Sequence, residues 1–341
     1  MKPAKTRLAL EIHEQPDVVA RLVEREATRV FRLTHALADR EFVLIVARGT
    51  SDNAARFAQY AFGIAAGLPV ALAAPSITTL YGARLRLGRA LVIGISQSGR
   101  SPDVVETLAA ARRAGAATIA VVNDESSPLA AAASEVVPLG AGEEKSVAAT
   151  KTYTAELAAV VLLAAGLARK RSLVRGLERI PEAMALALAV EPRVAKLAAG
   201  LAATEGAVVV ARGVNFATAF ELALKLKETA LLLAEPYSAA DFLHGPVALA
   251  RKGLLGIVLS PPGARAAVEL ESLAVRLAAQ GAGVLRIGPS GHDRIPVPEV
   301  PELLSPLVAI LPGQLLALHL ALARGLDPDA PPGLRKITET R

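Results

Sequence analysis

The chain has 341 residues, a length that favours two domains, and 52% of them are hydrophobic, enough to bury a core in each half. It has no cysteine, which excludes thiol nucleophiles, disulfides and thiolate metal sites and suits a cytoplasmic protein. The net charge is +6, but the basic residues are spread singly and the five histidines are scattered, so neither a nucleic-acid partner nor a metal is predicted.

The first half alternates predicted helices and strands. Residues 1–10 are charged and have no long apolar core, so no signal peptide is expected. Helical spacing predicts a short helix, a turn at residues 14–17 and a longer helix over residues 18–38. Predicted strands then alternate with helices; the strands are residues 42–46, 70–72, 90–94, 118–122 and 136–139. This alternation predicts an α/β fold with a doubly wound parallel sheet.

The turn at residues 95–101 joins an apolar strand to an amphipathic helix, so backbone N–H groups and the positive end of the helix dipole converge there. Four polar side chains surround its glycine: Ser96, Gln97, Ser98 and Ser101. A helix cap needs one serine, so the pattern favours a phosphate site over a simple cap. The turn lacks a P-loop lysine and a three-glycine dinucleotide pattern, which indicates a small phosphorylated metabolite.

Two further polar segments follow predicted strands. A strand-to-helix turn over residues 47–53 carries Thr50 and Ser51, and a polar loop over residues 142–151 opens a helix that ends near residue 167. Ligands of open α/β sheets bind beyond the carboxyl ends of the strands. We therefore expect both turns and this loop to border one crevice.

The pattern restarts in the second half, after a mostly helical connector over residues 172–203. Arg48 and Arg212 are 164 residues apart, and so are Ser96 and Ser260, which predicts an internal duplication. In the second copy two prolines replace the amide and the hydroxyl at the centre of the turn. Proline has no N–H, so a single phosphate site, in the first half, is predicted.

The second half adds acid–base candidates. A predicted helix over residues 216–233 places Glu221, Lys225 and Glu228 on one face, and spacing alone favours a solvated set of salt bridges. His244 is followed by Gly-Pro, which predicts a turn, where a histidine is a fair acid–base candidate.

The last segments are apolar and then proline-rich. Residues 303–323 carry no charge but are interrupted by proline, glycine and polar residues, which predicts buried helices rather than a membrane span. The tail over residues 327–338 is of a kind that is usually disordered. Leu334 and Ile337 flank Lys336, however, and could dock it.

Several of these motifs occur together, in this order, in one family. The chain resembles the isomerase half of glucosamine-6-phosphate synthase and its free-standing relatives, which are tandem sugar-isomerase (SIS) domain proteins. The matching segments span nearly the whole chain: residues 11–16, 49–51, 96–99, 147–151, 223–228, 244–246 and 329–336. The resemblance implies two flavodoxin-like domains and a tail, with expected boundaries at residues 1–190, 191–325 and 326–341.

The resemblance also implies residue roles. The sugar phosphate would contact Ser96, Gln97, Ser98 and Ser101, with Thr50, Ser51, Val147 and Ala149 around it. Glu228 would move a proton between C1 and C2 with support from Lys225, and His244 would open the sugar ring. His244 would act in the neighbouring subunit's site, which implies a homodimer. Lys336, beside Arg335, would form a Schiff base or bind the open-chain sugar, and no cofactor is required.

The expected activity is that of a deaminase/isomerase converting glucosamine 6-phosphate to fructose 6-phosphate and ammonia. The synthase uses a cysteine nucleophile to release nitrogen from glutamine, and this sequence has no cysteine. The alternatives are a fructosamine-6-phosphate deglycase, an ammonia-dependent synthase-like aminotransferase and a regulatory module that only binds sugar phosphates.

Overall fold

The computed structural model describes residues 6–291 and 293–336. The strands are β1 (Phe42–Val46), β2 (Val70–Leu72), β3 (Ala90–Ser96), β4 (Ala117–Val122), β5 (Glu135–Pro138), β6 (Gly206–Ala211), β7 (Leu233–Ser238), β8 (Leu254–Leu259), β9 (Gly283–Gly288) and β10 (Arg294–Pro296). The helices of the first half are α1 (Arg7–His35), α2 (Gly49–Ala66), α3 (Ser76–Thr79), α4 (Pro102–Arg113), α5 (Pro128–Ala132) and α6 (Lys151–Leu167). The later helices are α7 (Arg171–Leu177), α8 (Ile180–Leu188), α9 (Glu191–Gly200), α10 (Phe216–Ala230), α11 (Ala239–Leu243), α12 (Ala267–Ala279) and α13 (Pro306–Ala323).

The described residues form two compact units, each named here by its sheet. The β1–β5 unit contains Asp17–Glu144, Lys151–Glu178 and the last described residues, Arg335 and Lys336. The β6–β10 unit contains the residues up to Pro16, Lys145–Thr150 and Arg179–Leu334. Both units are assembled from separate segments, whereas the domain boundaries expected from the sequence are contiguous. Those boundaries stay a prediction.

The sheet of the β1–β5 unit has the strand order β2-β1-β3-β4-β5, and its pairings are parallel. Strand β3 is buried along its whole length, as expected for a central strand covered on both faces by helices. The order is that of a doubly wound fold in which β1 and β3 form the switch point. The predicted α/β class and parallel sheet are therefore confirmed.

The sheet of the β6–β10 unit repeats this topology. Its order is β10-β9-β8-β6-β7, again parallel, so the first strand of the unit lies between the second and the third. The registers also correspond: Phe42 pairs with Ala90 in one sheet, and Gly206 pairs with Leu254 in the other. Each member of the second pair lies 164 residues after its counterpart. The predicted duplication is thus confirmed.

Helix α1 is continuous over Arg7–His35, so the turn predicted at residues 14–17 is wrong. Pro16 lies inside the helix and cannot donate to the carbonyl of Ile12, four residues earlier. The buried side chain of Gln15 replaces that bond, since its Nε2 donates to the Ile12 carbonyl at 2.9 Å. The same Nε2 lies 2.7 Å from Oε1 of Gln314.

The segment after α10 also differs from the prediction. The helix ends at Ala230 because Leu231 adopts a left-handed conformation with φ of 50°, and residues 233–238 form β7 rather than a helix end and a loop. This strand contains Pro236 and pairs only with β6, at the edge of its sheet. An edge strand tolerates proline because one side of its backbone has no partner strand.

The apolar tract predicted to be buried forms the core helix α13. Residues 302–323 have the length and composition of a membrane-spanning helix, but 89% of their most apolar window is buried inside the protein. This burial confirms the prediction. In the same unit, the carboxylate of Asp329 accepts hydrogen bonds from the first N–H groups of α1, at Arg7 and Leu8, over 2.8 and 2.9 Å. The start of the tail is therefore ordered by capping a helix far away in the sequence.

Replacing Gln15 tests how α1 tolerates its proline. We expect Gln15→Leu to lower the free energy of unfolding by about 2 kcal/mol, because two buried oxygen acceptors lose their donor. In a Pro16→Ala background the backbone N–H returns to the Ile12 carbonyl, so the same substitution should cost about 1 kcal/mol less. Chemical denaturation of the four proteins measures both values. Equal costs in the two backgrounds would show that Gln15 does not compensate for the proline.

Candidate active site

The residues predicted to act on substrate fall into two groups, one in each unit. The β1–β5 unit holds Thr50, Ser51, Ser96, Gln97, Ser98, Ser101, Arg335 and Lys336. The β6–β10 unit holds Val147, Ala149, Lys225, Glu228 and His244.

Residues 96–101, called the anion turn below, connect β3 to α4. The hydroxyl of Ser96 is buried and accepts a hydrogen bond from the N–H of Gly99 at 3.0 Å, which folds the turn back on itself. Gly99 has φ of 63°, and a Cβ at this position would lie 2.2 Å from the hydroxyl oxygen of Ser127. Glycine at this position therefore allows the anion turn to pack closely against Ser127.

The N-cap serine of this turn does not cap α4 with its side chain. Ser101 occupies the N-cap position of α4, yet its side chain makes no capping hydrogen bond, and Pro102 follows at the first helical position. The side chains of Gln97, Ser98 and Ser101 are partly exposed. The positive end of the α4 dipole therefore faces hydroxyl and amide groups that are open to a ligand.

The neighbouring turn after β1 is fixed by two buried carboxylates. Arg48 pairs with Asp103 in the first turn of α4, with 2.6 Å between Nε and Oδ2, and Asp103 is 2% exposed. The hydroxyl of Ser51 donates to Oε1 of Glu156 in α6 at 2.7 Å. Ser51 is therefore engaged with the protein, while Thr50 beside it is partly exposed. Within this unit, both turns lie at the carboxyl ends of the adjacent strands β1 and β3.

Arg100, at the tip of the anion turn, pairs with Asp124 in the turn after β4, with 3.0 Å between the guanidinium and Oδ2. The hydroxyl and the N–H of Ser126 also donate to this carboxylate, at 2.6 and 2.9 Å. These bonds to Ser126, more than the guanidinium of Arg100, lower the pKa of Asp124. The carboxylate thus stays ionised and holds the arginine, which links two adjacent turns.

The turn after β8 is the counterpart of the anion turn in the β6–β10 unit. Its Ser260 is buried and donates its N–H to Ile287 at 2.9 Å, and Pro261 and Pro262 follow. The two prolines cannot donate backbone hydrogen bonds to a ligand. The same unit retains the arginine–carboxylate pair of the first copy as Arg212 and Glu269, which are 3.4 Å apart.

Lys225, Glu221 and Glu228 form the candidate acid–base cluster on α10. The ammonium of Lys225 lies 2.5 Å from Oε2 of Glu228 and 3.4 Å from Oε1 of Glu221. The side chains of Glu221 and Lys225 are 0% and 2% exposed, so the interpretation as a solvated face is wrong. The helix packs against α13, where the hydroxyl of Thr229 lies 3.3 Å from the Ala317 carbonyl. Glu228 is 24% exposed and is the member of the cluster that reaches solvent.

The remaining residues of the β6–β10 group lie in two loops. Val147 and Ala149 are partly exposed in the segment Lys145–Thr150. The buried carboxylate of Glu11 accepts hydrogen bonds from the N–H groups of Lys145 and Ser146 and thereby anchors the start of this segment. His244 is exposed directly after α11, in the turn that the following Gly-Pro predicted.

Lys336 lies in the same unit as the anion turn, and its Nζ is 3.5 Å from Oε2 of Glu144. The side chain of Glu144 is 0% exposed, and sequence reasoning assigned it no role. The available signal was a carboxylate in the polar loop that opens α6. Arg335 is exposed, and Ile337, predicted to help dock the tail, lies outside the described residues.

Comparisons with known proteins bear on this arrangement. The sequence model of the SIS domain matches residues 36–166 and 201–322. A glutamine–fructose-6-phosphate aminotransferase from Gloeobacter violaceus is 36% identical over 96% of this chain and 57% of its own length. The crystal structure of a Silicibacter pomeroyi DSS-3 protein, proposed to be a phosphosugar isomerase, is 38% identical with a TM-score of 0.86, over 95% of this chain and all of that one.

The chain belongs to the SIS domain family. Its homologues include the isomerase half of glutamine–fructose-6-phosphate aminotransferase, and the chain spans little more than half the length of these curated relatives. The C-terminal domain of the Francisella tularensis aminotransferase shares the fold with a TM-score of 0.86 at 24% identity, over 95% of this chain and 98% of that one. The first SIS region contains the anion turn and Glu144, and the second contains Lys225, Glu228 and His244.

In the part of the chain that the structure describes, no three histidine, aspartate or glutamate side chains are grouped so as to hold a metal ion. The expectation that the protein needs no cofactor stays a prediction.

Substituting Gly99 tests the geometry of the anion turn. We expect Gly99→Ala to lower the free energy of unfolding by about 2 kcal/mol more than Gly67→Ala, and to abolish binding of inorganic phosphate in calorimetry. Gly67 has a similar φ of 70°, but nothing lies within 4 Å of its added Cβ, so it isolates the backbone strain. Equal costs at the two positions would mean that the close contact with Ser127 is absent.

The titration of Asp124 gives a second test. Its pKa is lowered in the folded protein, so its contribution to stability is present above the pKa of the unfolded chain and is lost as the pH falls through the lowered value. We expect carboxyl NMR to show that Ser126→Ala raises the titration midpoint of Asp124 more than Arg100→Ala does, because hydrogen bonds from Ser126 are the main cause. A larger rise in Arg100→Ala would reverse that assignment.

Proposed function

We propose that this SIS-domain protein is an amino-sugar 6-phosphate deaminase/isomerase, which converts glucosamine 6-phosphate and water to fructose 6-phosphate and ammonia. The observation that carries the proposal is the cluster on α10. The ammonium of buried Lys225 lies 2.5 Å from Oε2 of Glu228, a carboxylate that reaches solvent. A reaction that moves one proton between adjacent carbons needs a positioned base, and this carboxylate can serve as one.

The anion turn would bind the phosphate of this substrate. Its partly exposed groups, Gln97, Ser98 and Ser101, can donate several hydrogen bonds to one phosphate at the N-terminus of α4. The relatives support this choice of ligand, since the Gloeobacter violaceus protein is named for its action on fructose 6-phosphate. Val147 and Ala149 would contact the sugar carbons.

The reaction begins with the open-chain aldehyde, which His244 would help to form by moving a proton at the ring oxygen. Glu228 would then remove the proton from C2 and return it to C1, while one proton passes from the amino nitrogen to the C1 oxygen. The 2-amino aldehyde thereby becomes a 2-imino sugar with a hydroxyl at C1. Water adds to the C2 imine and ammonia leaves, so the ketose is formed and the atoms balance. Lys225 would orient the carboxylate and compensate its negative charge throughout.

Two further features belong to this proposal. Lys336 would contact the open-chain carbonyl, as a Schiff base or as a cation. His244 is exposed on a turn and would act in the site of a neighbouring subunit, so the active form would be a homodimer. The proposed partner is a small sugar phosphate, with no nucleic acid or membrane involved.

The nitrogen compound that reacts separates this proposal from the activity of the curated relatives. The aminotransferases are named for glutamine as the donor, and this chain spans 57% of the length of the relative from Gloeobacter violaceus. The printed sequence contains no cysteine to attack a glutamine amide. Reaction with free ammonia, in the release direction or in reverse, needs only the residues described above.

The test is the release of ammonia from glucosamine 6-phosphate, with fructose 6-phosphate measured in the same reaction. We expect equimolar products from the wild-type protein and a loss of at least about 100-fold in kcat in Glu228→Gln. Glu235→Gln serves as the control and should keep full activity, because Glu235 is an exposed carboxylate 3.8 Å from the ammonium of Lys227.

Other products would contradict the proposal in distinct ways. Glucose 6-phosphate and an amine released from fructosamine 6-phosphate would identify a deglycase. Glucosamine 6-phosphate formed from fructose 6-phosphate and ammonia, without net deamination, would identify an ammonia-dependent aminotransferase. If no amino-sugar phosphate is converted and an added sugar phosphate only raises the unfolding temperature, the protein is a binding module.

A further inference from the structure

We propose that Glu144 is a positioning residue for Lys336: its buried carboxylate, fixed by the first turn of α6, holds the ammonium of the tail lysine in place. The structural part of this inference rests on contacts within the β1–β5 unit. Its catalytic consequence rests on the function proposed above.

The first step concerns the cost of burying Glu144. Its side chain is 0% exposed, while that of Lys336 is 27% exposed. A buried carboxylate is strongly unfavourable unless hydrogen bonds and an opposite charge compensate it. The surroundings of Glu144 must therefore supply both, and the described contacts show that they do.

The hydrogen bonds come from the N-terminus of α6. Oε1 of Glu144 accepts from the N–H of Lys151 at 2.8 Å and from that of Thr152 at 3.3 Å. Oε2 accepts from the hydroxyl of Thr152 at 2.6 Å. The carboxylate also lies at the N-terminus of α6, where the positive end of the helix dipole attracts a negative charge. Glu144 is thus held at both oxygens and cannot follow a moving partner.

The opposite charge comes from Lys336, whose Nζ lies 3.5 Å from Oε2. The two residues are 192 positions apart in the sequence, so this contact attaches the end of the described chain to the unit that contains the anion turn. A fixed carboxylate attracts the ammonium and restricts the lysine to one region. An iminium formed at Nζ would keep the positive charge, so the contact suits either role of Lys336.

A helix cap alone would explain the bonds to Lys151 and Thr152 but not the contact with the lysine. The substitution Glu144→Gln separates the two roles. Glutamine keeps an oxygen that can accept from the helix N–H groups, yet it carries no charge to hold an ammonium. Glu143→Gln is the matched control, because it removes the same charge one residue away from an exposed position.

The first measurement does not depend on activity. Intact protein is treated with limiting acetic anhydride across a pH series, and acetylation of each lysine is quantified by peptide mass spectrometry. We expect Lys336 in Glu144→Gln to react about tenfold faster than in the wild type, because its nitrogen is no longer held against a buried carboxylate. Glu143→Gln should behave as the wild type. Equal reactivity of Lys336 in Glu144→Gln and the wild type would overturn the inference.

The second measurement uses the deaminase reaction. We expect Glu144→Gln to lower kcat about tenfold with little change in KM and an unchanged unfolding midpoint, since the anion turn and the helix cap remain. The double variant Glu144→Gln/Lys336→Gln should be no slower than Lys336→Gln alone, because Glu144 acts through the lysine. Independent, multiplying losses would overturn the positioning role.

These outcomes separate the inference from the proposed function. If the wild-type protein is inactive on every amino-sugar phosphate but Lys336 is acetylated faster in Glu144→Gln than in the wild type, the proposed function is refuted and the contact between Glu144 and Lys336 is supported. An active protein in which Lys336 reacts alike in both variants would keep the function and refute the role of Glu144.

Discussion

Parallel strand pairing is the constraint on which the rest of this protein depends. In both sheets the described pairings are parallel, so the carboxyl ends of all strands in a sheet lie at one edge. In the β1–β5 unit this rule brings the turn after β1 beside the anion turn after β3. Segments that are 43 or more residues apart in the sequence (96 − 53) thereby supply adjacent polar groups, and Arg48 pairs with Asp103 between them.

The two units show how one frame supports different chemistry. Strand order, register and the arginine–carboxylate pair are common to both copies. The differences lie in the residues after the third strand, where Pro261 and Pro262 replace an amide and a hydroxyl, and on α10, which carries the buried acid–lysine cluster. Backbone hydrogen bonding keeps the frame, whereas substitutions at strand ends and on one helix face alter what each copy can bind or catalyse.

Carboxylates, two of them buried, recur as anchors for distant parts of the backbone. Glu11 accepts from the segment that carries Val147 and Ala149, Glu144 from the start of α6, and Asp329 from the start of α1. In each case two N–H groups donate to one carboxylate, which links two segments of the chain through charge-assisted hydrogen bonds. This is how the structure orders loops and a tail that carry no regular secondary structure of their own.

The sequence by itself determined the features that depend on local pattern. Short apolar runs rich in β-branched residues, such as those ending at Val46 and Val122, predict buried strands by their length and composition, and an offset of 164 residues reveals the duplication. The polar composition of the anion turn was likewise evident from the sequence, because its three serines and its glycine lie within six residues. His244 was placed in a turn by the Gly-Pro that follows it.

Only the tertiary structure decided the features that depend on partners far away in the chain. Pro16 predicts a break in α1, but the helix continues: the side chain of Gln15 donates to the Ile12 carbonyl and is itself held by Gln314, 299 residues away. The spacing on α10 favours an exposed face, whereas Lys225 is buried in the folded protein, where α10 packs against α13. Glu144 became visible as a partner of Lys336 only through their contact. Burial and long-range pairing are properties of the packed chain, and no local period encodes them.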